Sequence, residues 1–158
     1  MINVRIKIGD GAIEDTFAAH KLIYMAADHR TEAPIKKRDT TSYAEGAGEH
    51  TDPRTVQDAF DYKVTFIIDA QNKILENVNA IVAAFNAKLY TQPANSDIRT
   101  YKEVIFYNYY KRVKIVGLPE PIAEPKELYR TRGGYDFAQV ELTIHVSDPT
   151  KCDFNLSV

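Results

Sequence analysis

Residues 136–146 read Asp136-Phe137-Ala138-Gln139-Val140-Glu141-Leu142-Thr143-Ile144-His145-Val146. On a pleated strand, Ala138, Val140, Leu142, Ile144 and Val146 fall on one face, and Phe137, Gln139, Glu141, Thr143 and His145 on the other. That alternation predicts a strand with one buried face. It suits antiparallel pairing rather than the continuous apolar runs of a parallel sheet.

The same pattern recurs upstream. In residues 56–68, Tyr62, Val64, Phe66 and Ile68 share a face, while Asp61, Lys63 and Thr65 point away. Ile67 lies on that second face, so the end of this strand is expected to be covered on both sides. Residues 2–8 alternate Ile2, Val4, Ile6 and Ile8 with Asn3, Arg5 and Lys7, and Asp10-Gly11 then marks a turn. Residues 102–107 and 109–117 read as paired strands with Asn108 as a turn or bulge, or else as one long bent strand. The stretch 17–25 is apolar without a clean period. Residues 21–27 are read as a strand, against a competing short helix favoured by Ala18, Ala19, Ala26 and Ala27.

One segment has helical spacing. Over residues 71–89, Ile74, Leu75, Val78, Ile81, Val82, Phe85 and Leu89 form a single apolar stripe, with Asp69 as candidate N-cap. A helix following directly on a strand must lay that stripe on a sheet. Two stretches read as long loops. Residues 31–55 lose all apolar periodicity, and residues 118–134 hold Pro119, Pro121 and Pro125, which disfavour ladder pairing. There is no βαβ rhythm and no internal repeat. The expected class is mainly β (α+β): an antiparallel β-sandwich or open barrel with one packed α-helix, as a single domain over residues 1–158.

Composition bounds the function. At 158 residues, the chain is long enough to bury about 70% of its unfolded surface without staples. Cys152 is alone, which excludes an intrachain disulfide and a cysteine-built metal site. Twenty basic against 22 acidic residues give a net charge of -2, which argues against a general or sequence-specific nucleic-acid binder. The charged N-terminal run is not a signal peptide, and no window is apolar enough for a membrane span.

No catalytic motif stands out, and no cofactor or metal is expected. His20, His29, His50 and His145 lack zinc-ligand spacing, and Glu45, Glu49 and His50 form only a chance grouping. Ser42 and Cys152 have no nucleophile surround, and Glu14-Asp15 are adjacent rather than positioned for hydrolysis. An enzyme is not expected. The 31–55 loop carries Lys36, Lys37, Arg38, Tyr43, Glu45 and Glu49, a mixed-charge set that suits an intersubunit clamp or simply a solvated loop. Tyr is in excess, at ten residues with no Trp, and Tyr101, Tyr107, Tyr109 and Tyr110 crowd one segment. Strand alternation turns some of those rings outward, as at protein interfaces; ordinary strand aromatics are the other reading.

The order of these segments resembles a known family. A polar loop containing Lys37-Arg38-Asp39-Thr40-Thr41-Ser42-Tyr43-Ala44-Glu45-Gly46 leads into the strand at 61–68 and then the 74–89 helix. A strand pair at 103–108 and 112–116 and the final strand ending in Asp148-Pro149 complete the layout. This layout is similar to the N-terminal ring-forming domain of distal tail proteins of long-tailed bacteriophages, and to the related tail-tube fold. The match is of layout over residues 17–150, not of a diagnostic motif. The resemblance implies a virion structural subunit, made in the host cytoplasm. It would form a homo-oligomeric ring, a hexamer by resemblance, that meets other tail proteins. The long loop and the sheet edges would touch neighbouring subunits. The chain ends at Val158 and is therefore expected to lack the second, carbohydrate-binding domain of larger members. The alternative is a small ligand- or carbohydrate-binding β-sandwich using Tyr107, Tyr109 and Tyr110.

Overall fold

The computed structural model describes residues 4–36, 40–42, 49–51, 56–69, 74–125, 127–130 and 136–157. In chain order it has β1 (Val4–Ile8), β2 (Ile13–Asp15), α1 (Thr16–His20), β3 (Ile23–Ala27), β4 (Thr40–Ser42), β5 (Glu49–Thr51) and β6 (Phe60–Asp69). There follow α2 (Ile74–Lys88), β7 (Tyr90–Thr91), β8 (Thr100–Tyr101), β9 (Val104–Asn108), β10 (Val113–Pro119), β11 (Glu127–Arg130), β12 (Asp136–Val146) and a 3-10 turn (Pro149–Lys151). The protein is mainly β, built on antiparallel strands, as the alternation implies.

The main sheet is eight-stranded and runs β2-β1-β9-β10-β12-β6-β3, with β11 also on β12. Its spine is the β6–β12 ladder, in register from Phe60↔Val146 to Asp69↔Phe137. There Tyr62, Val64, Phe66 and Ile68 face inward with Ala138, Val140, Leu142 and Ile144, and all eight are fully buried. Ile67, on the other face, is half-buried. From the opposite side come Val4 and Ile6 of β1, Val104 and Phe106 of β9, and Val113 and Ile115 of β10. α2 adds Val78 and Phe85, with Leu89 just beyond its end, to the same core. The Asn86 side chain then holds the proline-rich segment after β10. Its Nδ2 donates to Ile122 O and its Oδ1 accepts from Ile122 N, both at 2.9 Å.

The sheet folds over itself at β10. Residues 113–117 of β10 pair with β9, while Leu118 and Pro119 pair with His145 and Ile144 of β12. Gly117 is the hinge. A Cβ there would overlap the His145 carbonyl oxygen and lie 2.9 Å from its carbon and 3.0 Å from Ile144 Cγ2. Only glycine lets the two backbones approach so closely. The edge that β10 exposes before the corner is covered by the tail. Lys114 and Asp153 exchange backbone hydrogen bonds of 2.7 and 2.9 Å, and Leu156 N donates to Arg112 O.

Several sequence expectations are corrected. The 31–55 stretch is not without structure: β4 and β5 pair within it, and Ile35 bridges to Gln57. The 118–134 stretch is not a plain connector: β10 continues through Pro119, which sits at the ladder's end, and β11 pairs with β12. Residues 109–112 form a turn rather than the start of a strand, and Asn108 is the last paired residue of β9. A second, five-residue helix, α1, overlaps the start of the 17–25 stretch read as having no clean period, and the short strand β2 lies just before it, where no strand was expected. The strand read over 21–27 is β3, and the competing helix lies just upstream of it. Asp69 is the last residue of β6, and the four residues before Ile74 lie outside the described set.

Gly117→Ala is expected to destabilise the fold by about 1–3 kcal/mol, because fixed backbone atoms rather than a flexible side chain must move. Urea unfolding monitored by tyrosine fluorescence reads this directly; an unchanged midpoint would mean that the corner has room to spare.

Candidate interaction surface

The folded-over sheet leaves β2 and β3 as its two ends, and α1 lies between them. Asp15 starts α1: its Oδ1 accepts from Phe17 N at 2.8 Å and Ala18 N at 2.9 Å. Lys21, left-handed at φ 61, ends it, with Lys21 N donating to Phe17 O and Leu22 N to Thr16 O. Caps this close leave one orientation. Thr16 and His20 point inward, Leu22 is buried beyond the cap, and Phe17 is 53% exposed.

Beside Phe17 opens a groove of about 380 Å³, lined by Val4, Asp15, Thr16, Phe17, Ile23, Tyr24 and Tyr110. Tyr110 reaches it from the β9–β10 turn and stacks on Tyr24, with centroids 5.4 Å apart and planes 11° from parallel. The turn is locked from below. Asn108, fully buried, accepts from Lys111 N through Oδ1 at 3.1 Å, and its Nδ2 donates to Tyr24 Oη at 3.2 Å and Tyr62 Oη at 3.4 Å. Arg112 closes the turn at φ 53. Burial pushes the Tyr62 phenol far above its ordinary range, partly offset by the Asn108 hydrogen bond, so it stays protonated. On the other side of the turn, Tyr109 stacks on Tyr107 at 6.4 Å.

The rim of the groove is apolar. Phe17, Ile23 and Tyr110, which line it, are all exposed, and the same β2–α1–β3 run also carries the exposed Ile13 and Met25. Apolar side chains gathered in this way mark an interaction site more than a scatter of single residues does. The strand edges themselves are blunted. β3 carries a bulge at Met25, and Glu14, paired with Ile6, puts a half-exposed carboxylate on β2. Both devices discourage edge-to-edge strand pairing, so docking here rests on side chains.

Beneath α1, Glu14 meets His20, with Oε2 3.1 Å from Nε2 but out of line for a directed N–H hydrogen bond. His20 Nδ1 lies 3.5 Å from Lys88 Nζ, and its ring meets Phe85 edge-on. Burial lowers the His20 pKa first, and the Lys88 charge adds to that; Glu14 opposes both. A second groove of about 360 Å³, lined by Phe17, Lys21, Asp69, Asn77, Ala80 and Ile81, runs between α1 and α2. Cys152 packs under β10, its Sγ 3.5 Å from Val116 N, and burial pushes its thiol pKa up, away from nucleophilic character. Among the described residues, no group of three His, Cys, Asp or Glu side chains could hold a metal ion.

The residues singled out from sequence separate. Lys37, Arg38, Tyr43 and Glu45 lie outside the described residues, and Glu49 is known only as the first residue of β5, paired with Ser42. Lys36 is exposed, its N–H bonded to Val56 O beside the Ile35–Gln57 bridge. Tyr101 belongs elsewhere: its ring packs on Tyr90 across β7–β8 at 5.6 Å. At the turn Tyr107 and Tyr109 stack on each other, while Tyr110 turns to Tyr24 instead. Sequence reasoning missed Ile13, Phe17, Ile23, Tyr24 and Met25. The signal available was the apolar stretch 17–25 with no period, since residues that serve neither a helix stripe nor a strand face serve the surface. No family model matches the chain, and no curated protein is a significant relative of it.

Asn108→Leu is expected to cost about 1–3 kcal/mol, because the Tyr24 and Tyr62 hydroxyls and Lys111 N–H lose their shared partner. Chemical denaturation measures it, and a neutral result would mean that water replaces the amide. His20 binds its proton less readily folded than unfolded, where its pKa is 6.5. Stability is therefore full above that value and falls as the pH drops below it. Melting curves between about pH 7 and about pH 5 are expected to show the fall, and His20→Gln to flatten it.

Proposed function

We propose that this protein is a structural subunit of a phage tail or phage-tail-like particle, and that copies of it assemble into a ring. The observation that carries the reading is the exposed apolar groove of Phe17, Ile23 and Tyr110 beside α1, with Ile13 and Met25 exposed on the same β2–α1–β3 run. A monomer gains nothing from holding these side chains in water, whereas a subunit covers them on assembly. The antiparallel sheet with a packed helix agrees with what the tail-protein resemblance implies. A net charge of -2 adds little repulsion between close copies. Among the described residues, no helix is long and apolar enough to cross a membrane. The particle, the partner tail proteins and the subunit number rest on the resemblance alone.

A second reading has one observation in its favour: the 380 Å³ groove lined by the stacked Tyr24 and Tyr110 has the size and aromatic walls of a small-ligand or sugar site.

Light scattering on the purified chain, with negative-stain imaging, is expected to show a ring. A strictly monomeric protein at high concentration would sink the assembly reading. Binding on a glycan array that is abolished by Tyr110→Ala would transfer support to the ligand reading. Deleting residues 40–50 removes a hairpin separate from the main sheet. It is expected to leave a folded protein that no longer oligomerises, and an unchanged oligomer would free that hairpin from any clamp role.

A further inference from the structure

The hairpin formed by β7 and β8 is braced at its tip. Gln92 Nε2 donates to Ser96 O at 2.5 Å, and Ser96 Oγ accepts from Ile98 N at 3.1 Å. Arg99 Nε donates to Gln92 Oε1 at 3.2 Å, and its guanidinium lies 4.4 Å from the centre of the Tyr90 ring. Asn95, left-handed at φ 59, makes the bend. All this order presents Ile98, which at 71% is the most exposed of the large apolar side chains described. No core need accounts for an isoleucine held outward on a stiffened loop.

The groove has the matching properties. It is apolar, open and bordered by Phe17, Ile23 and Tyr110, and its 380 Å³ admits a branched aliphatic side chain with room for its neighbours. Knob and groove spring from opposite ends of one ladder. Val4 and the Tyr110 turn flank the Val4↔Asn108 end of β1–β9. The hairpin is anchored at the Ile8↔Val104 end, where Gly9 N donates to Glu103 O and Lys102 N to Leu89 O. The exposure of Ile98 shows that a molecule does not fill its own groove. The flanking charges are complementary as well. Arg99 follows Ile98 directly, and Asp15 lines the groove.

The geometry points to a head-to-tail contact between copies of this chain, in which Ile98 of one molecule seats in the Phe17–Ile23–Tyr110 groove of the next. The inference rests on the self-assembly reading and names the surfaces that carry it. Two different patches meet, so the contact is heterologous and propagates until the rotation per copy closes a ring. A buried aliphatic anchor with a charged rim is the usual anatomy of an interface hot spot.

The test uses the full chain and two variants, Ile98→Asp and Phe17→Asp, each checked for an unchanged circular dichroism spectrum. By light scattering, each is expected to lose assembly, with association weakened by roughly thirty-fold or more. Mixed in equal amounts, they are expected to form a one-to-one heterodimer, because one intact knob and one intact groove remain and the chain cannot grow further. Should Phe17→Asp prove misfolded, Ile23→Asp in the same groove replaces it and is expected to give the same loss and the same one-to-one pairing with Ile98→Asp. Wild-type protein that assembles while Ile98→Asp assembles equally well overturns this contact and leaves self-assembly standing. Loss with Phe17→Asp alone gives the groove to another part of the neighbour and also overturns it. A monomeric wild type removes self-assembly itself, and this contact with it.

Discussion

The close approach of Gly117 to the His145 carbonyl is the constraint on which the remaining architecture depends. It lets β10 leave β9 and join β12 within two residues, so one continuous sheet wraps its apolar face inward. Once the sheet has turned there, β2 and β3 become its two ends, and the short chain between them, α1, is obliged to sit in the seam. The tail then covers the part of β10 that the turn leaves bare. A side chain at Gly117 would force the strands apart, and every one of these later placements would shift with them.

The seam is where the stability of the core and the shape of the surface meet. Asn108 is a fully buried polar group, and its amide joins β9, β3 through Tyr24, β6 through Tyr62, and the turn through Lys111. Satisfied in this way it costs little, and it fixes where Tyr110 lies. The exposed ring is thus positioned by a buried hydrogen-bond network rather than by its own contacts with solvent. His20 plays the corresponding part in α1, held between Glu14 and Lys88 while Phe17 of the same turn stays exposed.

Much of the fold was legible. β1, β6, β9, β12 and the face of α2 follow from period-two and helical spacing, because each has one face in the core and one outside it. What escaped was short or irregular. β2 and β11 have three and four residues, too few for a pattern to emerge, and α1 is a single capped turn. Pro119 misled because it closes a ladder rather than interrupting one. Of the candidate surface, the Tyr107–Tyr110 cluster was visible as a crowding of rings. Its partner Tyr24 was not, since the two stack across 86 positions of chain that no local pattern connects.

The amino-acid sequence by itself determined the class of this protein: antiparallel strands, one amphipathic helix, no disulfide and a balanced charge. Those properties depend on residue identity and local periodicity, and both are present in one dimension. Tertiary structure alone decided which exposed apolar residues lie together, that Phe17, Ile23 and Tyr110 line one groove, and that Ile98 stands at the other end of the ladder. Burial depends on which strands become neighbours. That follows from the corner at Gly117, where the fit of two backbones to one another, not the preference of any single segment, sets the arrangement.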